Sequence, residues 1–294
     1  MQIFAIINPV SGAGLDPTAA ERRASLLADR LEHAGLHASI HFTERAGHAR
    51  ELATAAVDSR ADLVIVWGGD GTLNEAGGAL VNSSTALGLV PAGSGNGLAA
   101  ALGTPRDPSQ AIDRILAADT TAIDVGLINN RAFFNIAGIG IDAHIARLFN
   151  ARRRGRGGKW PYIAIGLREG RGYRSLTYQL ELDGYTRRTC ALLIAFANGR
   201  EYGMGARISP QALLDDGWLE ATVVEDRPFL ARFMHARHLA SGSVERAPRV
   251  HAQKVRRAVV TTEGPIEFHV DGEPDVAMDR VEVTILPGAL KVRR

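Results

Sequence analysis

The fold of this 294-residue chain is decided by the segment Val66-Trp67-Gly68-Gly69-Asp70-Gly71-Thr72-Leu73-Asn74-Glu75. The apolar run from Leu63 to Trp67 indicates a buried parallel strand, and the glycines after it let a ligand approach the backbone closely. Thr72 and Glu75 have capping-box spacing, so a helix is predicted to begin there. Helix N-termini suit phosphate oxygens, but Asp70 would repel them unless a cation or a proton transfer is involved. The segment therefore favours phosphoryl transfer, although a tight strand–helix turn with a solvated aspartate would show the same pattern.

The first 120 residues alternate short apolar strands with amphipathic helices. Strands are predicted at Ile3–Ile7, Ala38–Phe42, Leu63–Trp67 and Leu87–Val90. Helices are predicted after Asp16-Pro17 and at Ala46–Val57, Thr72–Val81, Asn96–Leu102 and Pro108–Ala117. This alternation predicts an α/β domain with an open parallel sheet and helices on both faces. In such sheets ligands bind beyond the carboxyl ends of the strands.

Three of these strand ends carry glycine-rich turns. Besides the opening segment, they are Asn8-Pro9-Val10-Ser11-Gly12-Ala13-Gly14 and Pro91-Ala92-Gly93-Ser94-Gly95-Asn96-Gly97. One such turn is a weak signal, but three in one sheet favour a nucleotide polyphosphate site. None matches a P-loop or the dinucleotide fingerprint. Because no lysine precedes Lys159, phosphate charge would be met by backbone N–H groups, arginine or metal.

After about residue 122 the sequence becomes β-rich, which predicts a second, antiparallel sandwich-like domain with helical insertions. Hairpins are predicted at the two-residue turns Asn129-Asn130 and Asp183-Gly184. Helices are predicted at His144–Asn150, Pro161–Gly170 and Pro228–Leu239.

Composition and charge restrict the function further. The chain is 46% hydrophobic, and its single cysteine, Cys190, excludes an internal disulfide and is expected to be buried. The nine histidines show no metal-binding spacing and are expected at the surface. No secretory signal is predicted, and the apolar run Ala191–Ala197 is too short to span a bilayer. The first 130 residues hold 8 Arg and no Lys against 14 acidic residues, so the basic second half is expected to meet any anionic surface.

In combination and order, these motifs and several later ones resemble the diacylglycerol kinase catalytic family, which includes bacterial soluble lipid kinases, sphingosine kinases and ceramide kinases. The later motifs are Gly138-Ile139-Gly140-Ile141-Asp142, Ile208-Ser209-Pro210 with Asp215-Asp216-Gly217, Asp271-Gly272-Glu273 and Leu286-Pro287-Gly288-Ala289-Leu290. The resemblance covers nearly the whole chain, although Gly-Gly-Asp-Gly-Thr alone also occurs in NAD kinases. It implies an ATP-binding domain at residues 1–122 and a lipid-binding domain at residues 123–294, whose last strand, 281–294, can return to the first domain.

The resemblance also implies ATP and Mg²⁺ as cofactors, with the nucleotide between the domains. The implied ATP-binding residues are Asn8, Ser11, Gly12, Thr43, Gly68, Gly69, Asp70, Gly71, Thr72, Leu73, Asn74, Ser94, Gly95 and Asn96. The implied catalytic residues are Glu273, Asp271 and Asp70. Glu273 is the first candidate for the base that accepts the hydroxyl proton, and Asp70 is the second. We expect Asp70 to act chiefly through Mg²⁺ and phosphate. Asp142 is the candidate ligand of a lipid head group, and a solvated strand-end aspartate is the alternative.

In bacterial relatives the loop that corresponds to Asp215-Asp216-Gly217 holds a structural Mg²⁺ by one carboxylate and two backbone carbonyls. Carried over, these ligands are Asp216, Leu213 and Trp218, an all-oxygen set that fits a hard cation. Gly97 stands where bacterial diacylglycerol kinases commonly have aspartate, while Ser94 matches the sphingosine kinases. The lipid therefore stays open among diacylglycerol, a sphingoid base, phosphatidylglycerol and an isoprenoid-type alcohol.

The segment Arg152–Tyr162 combines five basic residues with Trp160 and Tyr162, which favours contact with an anionic membrane through Arg152–Lys159. A solvated loop and nucleic-acid contact are the alternatives, and nucleic acid is the least favoured. We therefore expect a cytoplasmic lipid kinase that visits the inner face of the membrane, and a homodimer is possible. Its rivals are an NAD kinase-like phosphotransferase and a catalytically silent nucleotide- or lipid-binding regulator. The presence of both Asp70 and Glu273 argues against the silent regulator.

Overall fold

The computed structural model describes residues 1–12, 16, 18–151, 172–202, 206–228, 238 and 243–294. The chain divides into two compact units, one formed by Met1–Ile123 with Gly288–Arg294 and the other by Asp124–Pro287. The basic segment Arg152–Lys159 and the helix predicted at 161–170 lie outside the described residues, as does most of the helix predicted at 228–239.

A parallel sheet forms the centre of the first unit, with the strand order β2–β1–β3–β4. Its strands are β1 (Ile3–Ile7), β2 (Ala38–Phe42), β3 (Leu63–Gly68) and β4 (Ala86–Pro91). The helices of this unit are α1 (Ala19–His33), α2 (His48–Asp58), α3 (Asp70–Leu80), α4 (Gly97–Ala101) and α5 (Pro108–Ala117). This is the predicted parallel α/β arrangement.

Helices cover this sheet on both faces. Leu27 and Leu31 of α1 and Ile112 and Ile115 of α5 pack on one face, against side chains that include Ile65. The side chains that alternate with that set, Ile6, Val64 and Val66, are also buried, while α2 and α3 pack against each other and against the strands. Burial on both faces explains why β3 has an unbroken apolar sequence.

The start of α5 follows the predicted chemistry, whereas α1 begins at Ala19 with Thr18, not Asp16, as its N-cap. The Asp107 carboxylate accepts a hydrogen bond from Gln110 N at 2.9 Å, and Pro108 occupies the first helical position of α5. Asp16 precedes α1, and its carboxylate accepts from the backbone N–H and the hydroxyl of Thr18, each at 2.9 Å.

The prediction of a capping box at Thr72 and Glu75 is wrong. Helix α3 begins at Asp70, with Gly69 as its N-cap and no side-chain cap. The Glu75 carboxylate instead accepts hydrogen bonds from the backbone N–H groups of Gly47 and Ala49, at 2.8 and 3.2 Å, where α2 begins. The Thr72 hydroxyl accepts a hydrogen bond from the Asn8 side chain, so the side chains of Thr72 and Glu75 both make tertiary contacts.

The second unit is antiparallel and β-rich. Its strands are β5 (Thr120–Ile128), β6 (Arg131–Phe133), β7 (Ile136–Gly140), β8 (Leu176–Leu182), β9 (Tyr185–Ala197), β10 (Leu219–Glu225), β11 (Val250–Val255), β12 (Arg257–Thr261), β13 (Ile266–Val270), β14 (Glu273–Ala277) and β15 (Arg280–Arg293). β5 begins in the first unit and β15 ends in it. Helix α6 (Ile141–Ala151) follows β7 directly, three residues earlier than predicted.

Two-residue turns set the register of the hairpins in this unit. Asn129 and Asn130 join β5 to β6 with φ of 46° and 64°, and Asp183-Gly184 joins β8 to β9 with φ of 47° and 89°. Both predicted turns are therefore confirmed. Positive φ at both central residues gives a turn whose twist matches that of the strands.

Two expectations about burial are wrong. Cys190 is exposed, because it alternates with Thr189 and Ala191, whose side chains face the interior of the unit. His269 is only 2% exposed, although the histidines are expected at the surface. None of the helices in the described ranges combines the length and the apolar character needed to cross a bilayer.

Candidate active site

Glycine-rich turns follow β1, β3 and β4 of the first unit. These strands are parallel neighbours in the order β1–β3–β4, so their carboxyl ends meet at one edge of the sheet. We call the described residues of these turns, 8–12, 68–72 and 91–97, the glycine-turn cluster. It lies where open α/β sheets bind their ligands.

Side-chain hydrogen bonds join the first turn to the second. The Asn8 amide nitrogen donates to the Thr72 hydroxyl at 2.8 Å, and the Ser11 hydroxyl oxygen accepts from the backbone N–H of Gly69 at 3.1 Å. The backbone N–H of Asn8 also donates to the Trp67 carbonyl at 2.9 Å. Four residues predicted to bind ATP, namely Asn8, Ser11, Gly69 and Thr72, thus hold the turns against each other.

Asp70 joins the second turn to the third. Its two carboxylate oxygens accept hydrogen bonds from the backbone N–H groups of Asn96 and Gly97, each at 2.8 Å. Asp70 is the first residue of α3, and Gly97 is the first residue of α4, so this carboxylate joins the start of one helix to the start of the other. A Cβ atom on Gly95 would lie 2.6 Å from an Asp70 carboxylate oxygen, which explains glycine at that position.

The first and third turns meet through their backbones. Gly12 has a φ of 63°, and a Cβ atom there would lie 2.1 Å from the carbonyl oxygen of Ala92. Glycine is therefore required both by conformation and by close approach. The third turn is also braced internally, because the Asn96 side chain accepts from Gly93 N and donates to Gly93 O, at 2.8 and 2.7 Å.

A half-buried cation that the sequence analysis missed lies behind the first turn. The guanidinium of Arg23 donates to the backbone carbonyls of Asn8 and Ser11 and lies 5.8 Å from the ring centre of Trp67. Desolvation by burial, with a smaller effect from the positive charge of Arg22, lowers the pKa of Arg23. The sequence feature that could have identified Arg23 is the adjacent pair Arg22-Arg23, in a half of the chain that has no lysine.

The remaining predicted ATP-binding residues lie in different environments. Thr43 follows β2, is 9% exposed, and its backbone N–H donates to the Ile7 carbonyl at 3.0 Å. The side chains of Leu73 and Asn74 are buried within α3. Ser94 is exposed in the third turn. Their contact with a nucleotide stays a prediction.

In the second unit, Asp271 and Gly272 form the turn of the hairpin β13–β14, with φ of 49° and 89°. The Asp271 carboxylate accepts hydrogen bonds from the backbone N–H groups of Phe134, Asn135 and Ile136, which lead into β7, at 2.9, 2.9 and 3.0 Å. Glu273 begins β14, and its side chain is 45% exposed with an oxygen 4.0 Å from Arg131 Nη2. The turn therefore anchors one carboxylate and presents the other to solvent.

Asp142, the candidate head-group ligand, lies near this turn but is 8% exposed. One carboxylate oxygen accepts from the Tyr202 hydroxyl at 2.9 Å and lies 3.1 Å from His269 Nε2, and the other accepts from Ala143 N at 2.8 Å. His269 Nδ1 accepts from the backbone N–H of Gly272 at 3.2 Å. The sequence analysis missed His269, whose partner Asp142 lies 127 residues away in the sequence.

At the predicted structural metal site, Leu213, Asp216 and Trp218, the aspartate pairs with a neighbouring lysine, and binding of a divalent cation there stays a prediction. The Asp216 carboxylate is paired with the Lys254 ammonium at 2.6 Å and accepts from Trp218 N at 3.1 Å. The hydrogen bond to Asp216 raises the pKa of Lys254, so this carboxylate already has a cation. In the described part of the chain, the acidic, histidine and cysteine side chains form no cluster of three or more that could hold a metal ion.

Comparison with known families accounts for most of the chain. Residues 2–128 match the model of the diacylglycerol kinase catalytic domain. Residues 135–294 match the model of the YegS C-terminal NAD kinase beta sandwich-like domain.

Individual proteins resemble the chain over nearly its full length. A diacylglycerol kinase of Staphylococcus saprophyticus is 31% identical over 271 residues, which cover 91% of this chain and 87% of the relative. A YegS-like protein of Chromohalobacter salexigens, named as a presumed lipid kinase, is 29% identical over 89% of this chain and 85% of its own. A crystal structure of a diacylglycerol kinase from Bacillus anthracis has a TM-score of 0.75 at 20% identity, covering 99% of this chain and 96% of the other, and shares the fold.

Proposed function

The chain belongs to the diacylglycerol kinase catalytic-domain family, and from this premise we propose that it transfers the γ-phosphoryl group of ATP to a hydroxyl group of a membrane lipid. Membership makes the chain a kinase. The use of ATP, the lipid acceptor and the residues that act are the parts proposed here.

The glycine-turn cluster is the observation that carries the proposal. It brings three tightly braced turns to the ligand-binding edge of a parallel sheet. The Ala92 carbonyl beside Gly12 and the Asp70 carboxylate beside Gly95 leave no room for side chains at these two glycines. Two backbone N–H groups offset the charge of Asp70, and the Arg23 guanidinium adds a positive charge behind the first turn. This combination favours an anionic ligand such as a triphosphate, because it reduces the repulsion expected from Asp70.

Glu273 is the proposed proton acceptor. Its carboxylate is partly exposed on a turn that the Asp271 carboxylate fixes by three backbone hydrogen bonds, so it can reach a hydroxyl group without the turn coming loose. Asp70 is assigned the positioning of the glycine turns. Bound Mg²⁺ would neutralise charge at the phosphates. Asp70 and Asn74 are the described side chains of the first unit that we propose lie near the ion.

The lipid acceptor is proposed from the family. The named relatives are a diacylglycerol kinase and a presumed lipid kinase, and the sequence of Arg152–Lys159 suits an anionic membrane surface. We propose that the enzyme meets its substrate at the inner face of the cytoplasmic membrane. The NAD kinase-like alternative draws on Gly68–Thr72 and on the name of the second family model.

Transfer of label from γ-labelled ATP tests the proposal. Vesicles of a total bacterial lipid extract and, separately, NAD are incubated with the protein, ATP and Mg²⁺, and the labelled product is identified by mass spectrometry. We expect label in a lipid and none in NAD. Label in NAD alone, or no labelled lipid from a folded protein that binds ATP, would overturn the proposal. Asp113→Asn should transfer label as the wild type does. Asp113 lies on α5 and pairs with Arg30 on α1, which makes this variant a control for substitutions of the site carboxylates.

A further inference from the structure

The feature that the proposed mechanism does not use is the buried contact between Asp142 and His269 in the second unit. The His269 side chain is 2% exposed and that of Asp142 11% exposed. Burying a carboxylate and an imidazole is costly unless they are hydrogen-bonded. Here His269 Nε2 lies 3.1 Å from the carboxylate oxygen that also accepts from the Tyr202 hydroxyl.

The hydrogen bonds define which ring nitrogen of His269 carries the proton. The backbone N–H of Gly272 can only donate, so Nδ1, 3.2 Å away, accepts and is unprotonated. The proton then lies on Nε2, where it is donated to Asp142. Asp142 therefore selects the one neutral form of His269 that can hold the Gly272 backbone.

Gly138 leaves the space for this arrangement. A Cβ atom on Gly138 would lie 1.8 Å from the Asp142 carboxylate oxygen and 2.6 Å from His269 Nε2. Gly138 belongs to β7, which pairs with β13 through Gly138 and His269. A side chain of any size at this position would separate the pair.

We propose that His269 is a positioning residue whose ring, held by Asp142, fixes the Gly272 backbone from which Glu273 projects. The inference rests on the proposed function, because it gives His269 its importance through Glu273. It also assigns Asp142 a positioning role in place of direct contact with a lipid head group.

Two substitutions of His269 separate the two ring nitrogens. His269→Asn places an amide oxygen near the position of Nδ1 and keeps the acceptor for Gly272, whereas His269→Gln places an amide nitrogen near Nε2 and keeps the donor for Asp142 only. Each variant removes one hydrogen bond from the same buried site, so we expect similar losses in melting temperature. A purely structural role predicts similar losses in activity as well.

We expect His269→Gln to lower kcat by about tenfold, because misplacing a catalytic group is costly even when it stays in the site. His269→Asn should keep most of kcat, and neither variant should change the KM for ATP. Equal losses of kcat in the two variants, or a matching rise in the KM for ATP, would overturn the inference. Gly138→Ala should resemble His269→Gln, with Gly172→Ala as its control, since a Cβ atom on Gly172 would meet none of the described residues within 4 Å.

Amide hydrogen exchange gives a readout that does not depend on catalysis. Exchange at Gly272 should be faster in His269→Gln than in the wild type and unchanged in His269→Asn. Unchanged exchange in His269→Gln would overturn the inference even if the enzyme is an active lipid kinase. A wild-type protein that labels no lipid would instead refute the proposed function, and the exchange result would still decide whether His269 holds the turn.

Discussion

The Gly-Gly-Asp-Gly turn of the first unit has one carboxylate, which anchors backbone. The Asp-Gly-Glu turn of the second unit has two, an aspartate that also anchors backbone and a glutamate with a partly exposed side chain. Asp70 accepts two backbone N–H groups and Asp271 accepts three, so both hold neighbouring backbone in place. Glu273 differs in exposure: its side chain is 45% exposed, with an oxygen 4.0 Å from Arg131 Nη2. The comparison teaches that an acidic residue in a glycine-rich motif can act through architecture, while its more exposed counterpart is better placed for proton transfer.

The largest expected effect is that of Glu273→Gln. Loss of a general base typically lowers the rate by about 10²–10⁴-fold, so kcat should fall within that range while the affinity for ATP stays the same. Steady-state kinetics with lipid vesicles measures both quantities. Asp275→Asn is the control, since Asp275 also contacts Arg131 from β14 and should leave kcat near the wild-type value. Equal loss of kcat and ATP affinity in Glu273→Gln would contradict the base role.

Asp70→Asn should act on stability and ATP affinity together. An amide cannot accept from both Asn96 and Gly97 with the same strength, and hydrogen bonds to charged groups contribute about 1.5–3 kcal/mol each. We expect the free energy of unfolding to fall by about that amount, and the KM for ATP to rise roughly tenfold. Chemical denaturation and ATP titration measure the two effects. A large fall in kcat with stability and KM unchanged would make Asp70 a chemical group instead.

Arg23→Lys should have a smaller effect. A lysine ammonium cannot bridge the carbonyls of Asn8 and Ser11 as the planar guanidinium does. We expect the KM for ATP to rise roughly threefold to tenfold, consistent with the loss of about one hydrogen bond. Arg22→Lys is the control, because Arg22 is exposed and pairs with Asp16. If both variants behave alike, Arg23 does not support the first turn.

The smallest effect is expected at Lys254. Because the hydrogen bond to Asp216 raises the pKa of Lys254 above the ordinary value of 10.5, this pair stabilises the fold at neutral pH, and the contribution is lost only as the pH rises through the raised pKa. Lys254→Gln should lower the melting temperature slightly. The melting temperature of the wild-type protein should be the same in Mg²⁺ and in EDTA. A stabilisation by Mg²⁺ that is lost in Asp216→Asn would show that a cation displaces Lys254 from Asp216.

Local patterns predicted much of the fold. The apolar run of β3, the proline and aspartate at the start of α5, and the Asn129-Asn130 and Asp183-Gly184 turns all depend on neighbours in the sequence. Their physical causes, burial on both faces, N-capping and positive φ, are visible in the residues themselves.

Contacts between distant residues were not predicted. Thr72 and Glu75 have the right spacing for a capping box. In the structure, however, the Thr72 side chain bonds to Asn8, and the Glu75 side chain bonds to the backbone of Gly47 and Ala49. Asp142 lies 127 residues before His269, so no local pattern signals that pair. The residues that bring a site together are thus harder to read than those that begin its strands and helices.

Amide hydrogen exchange with and without ATP and Mg²⁺ tests the central claim most directly. The account predicts that nucleotide slows exchange in the glycine-turn cluster, residues 8–12, 68–72 and 91–97, and that Asp70→Asn weakens this protection while Asp113→Asn does not. Protection confined to other parts of the chain, or none at ATP concentrations that support turnover, would contradict it.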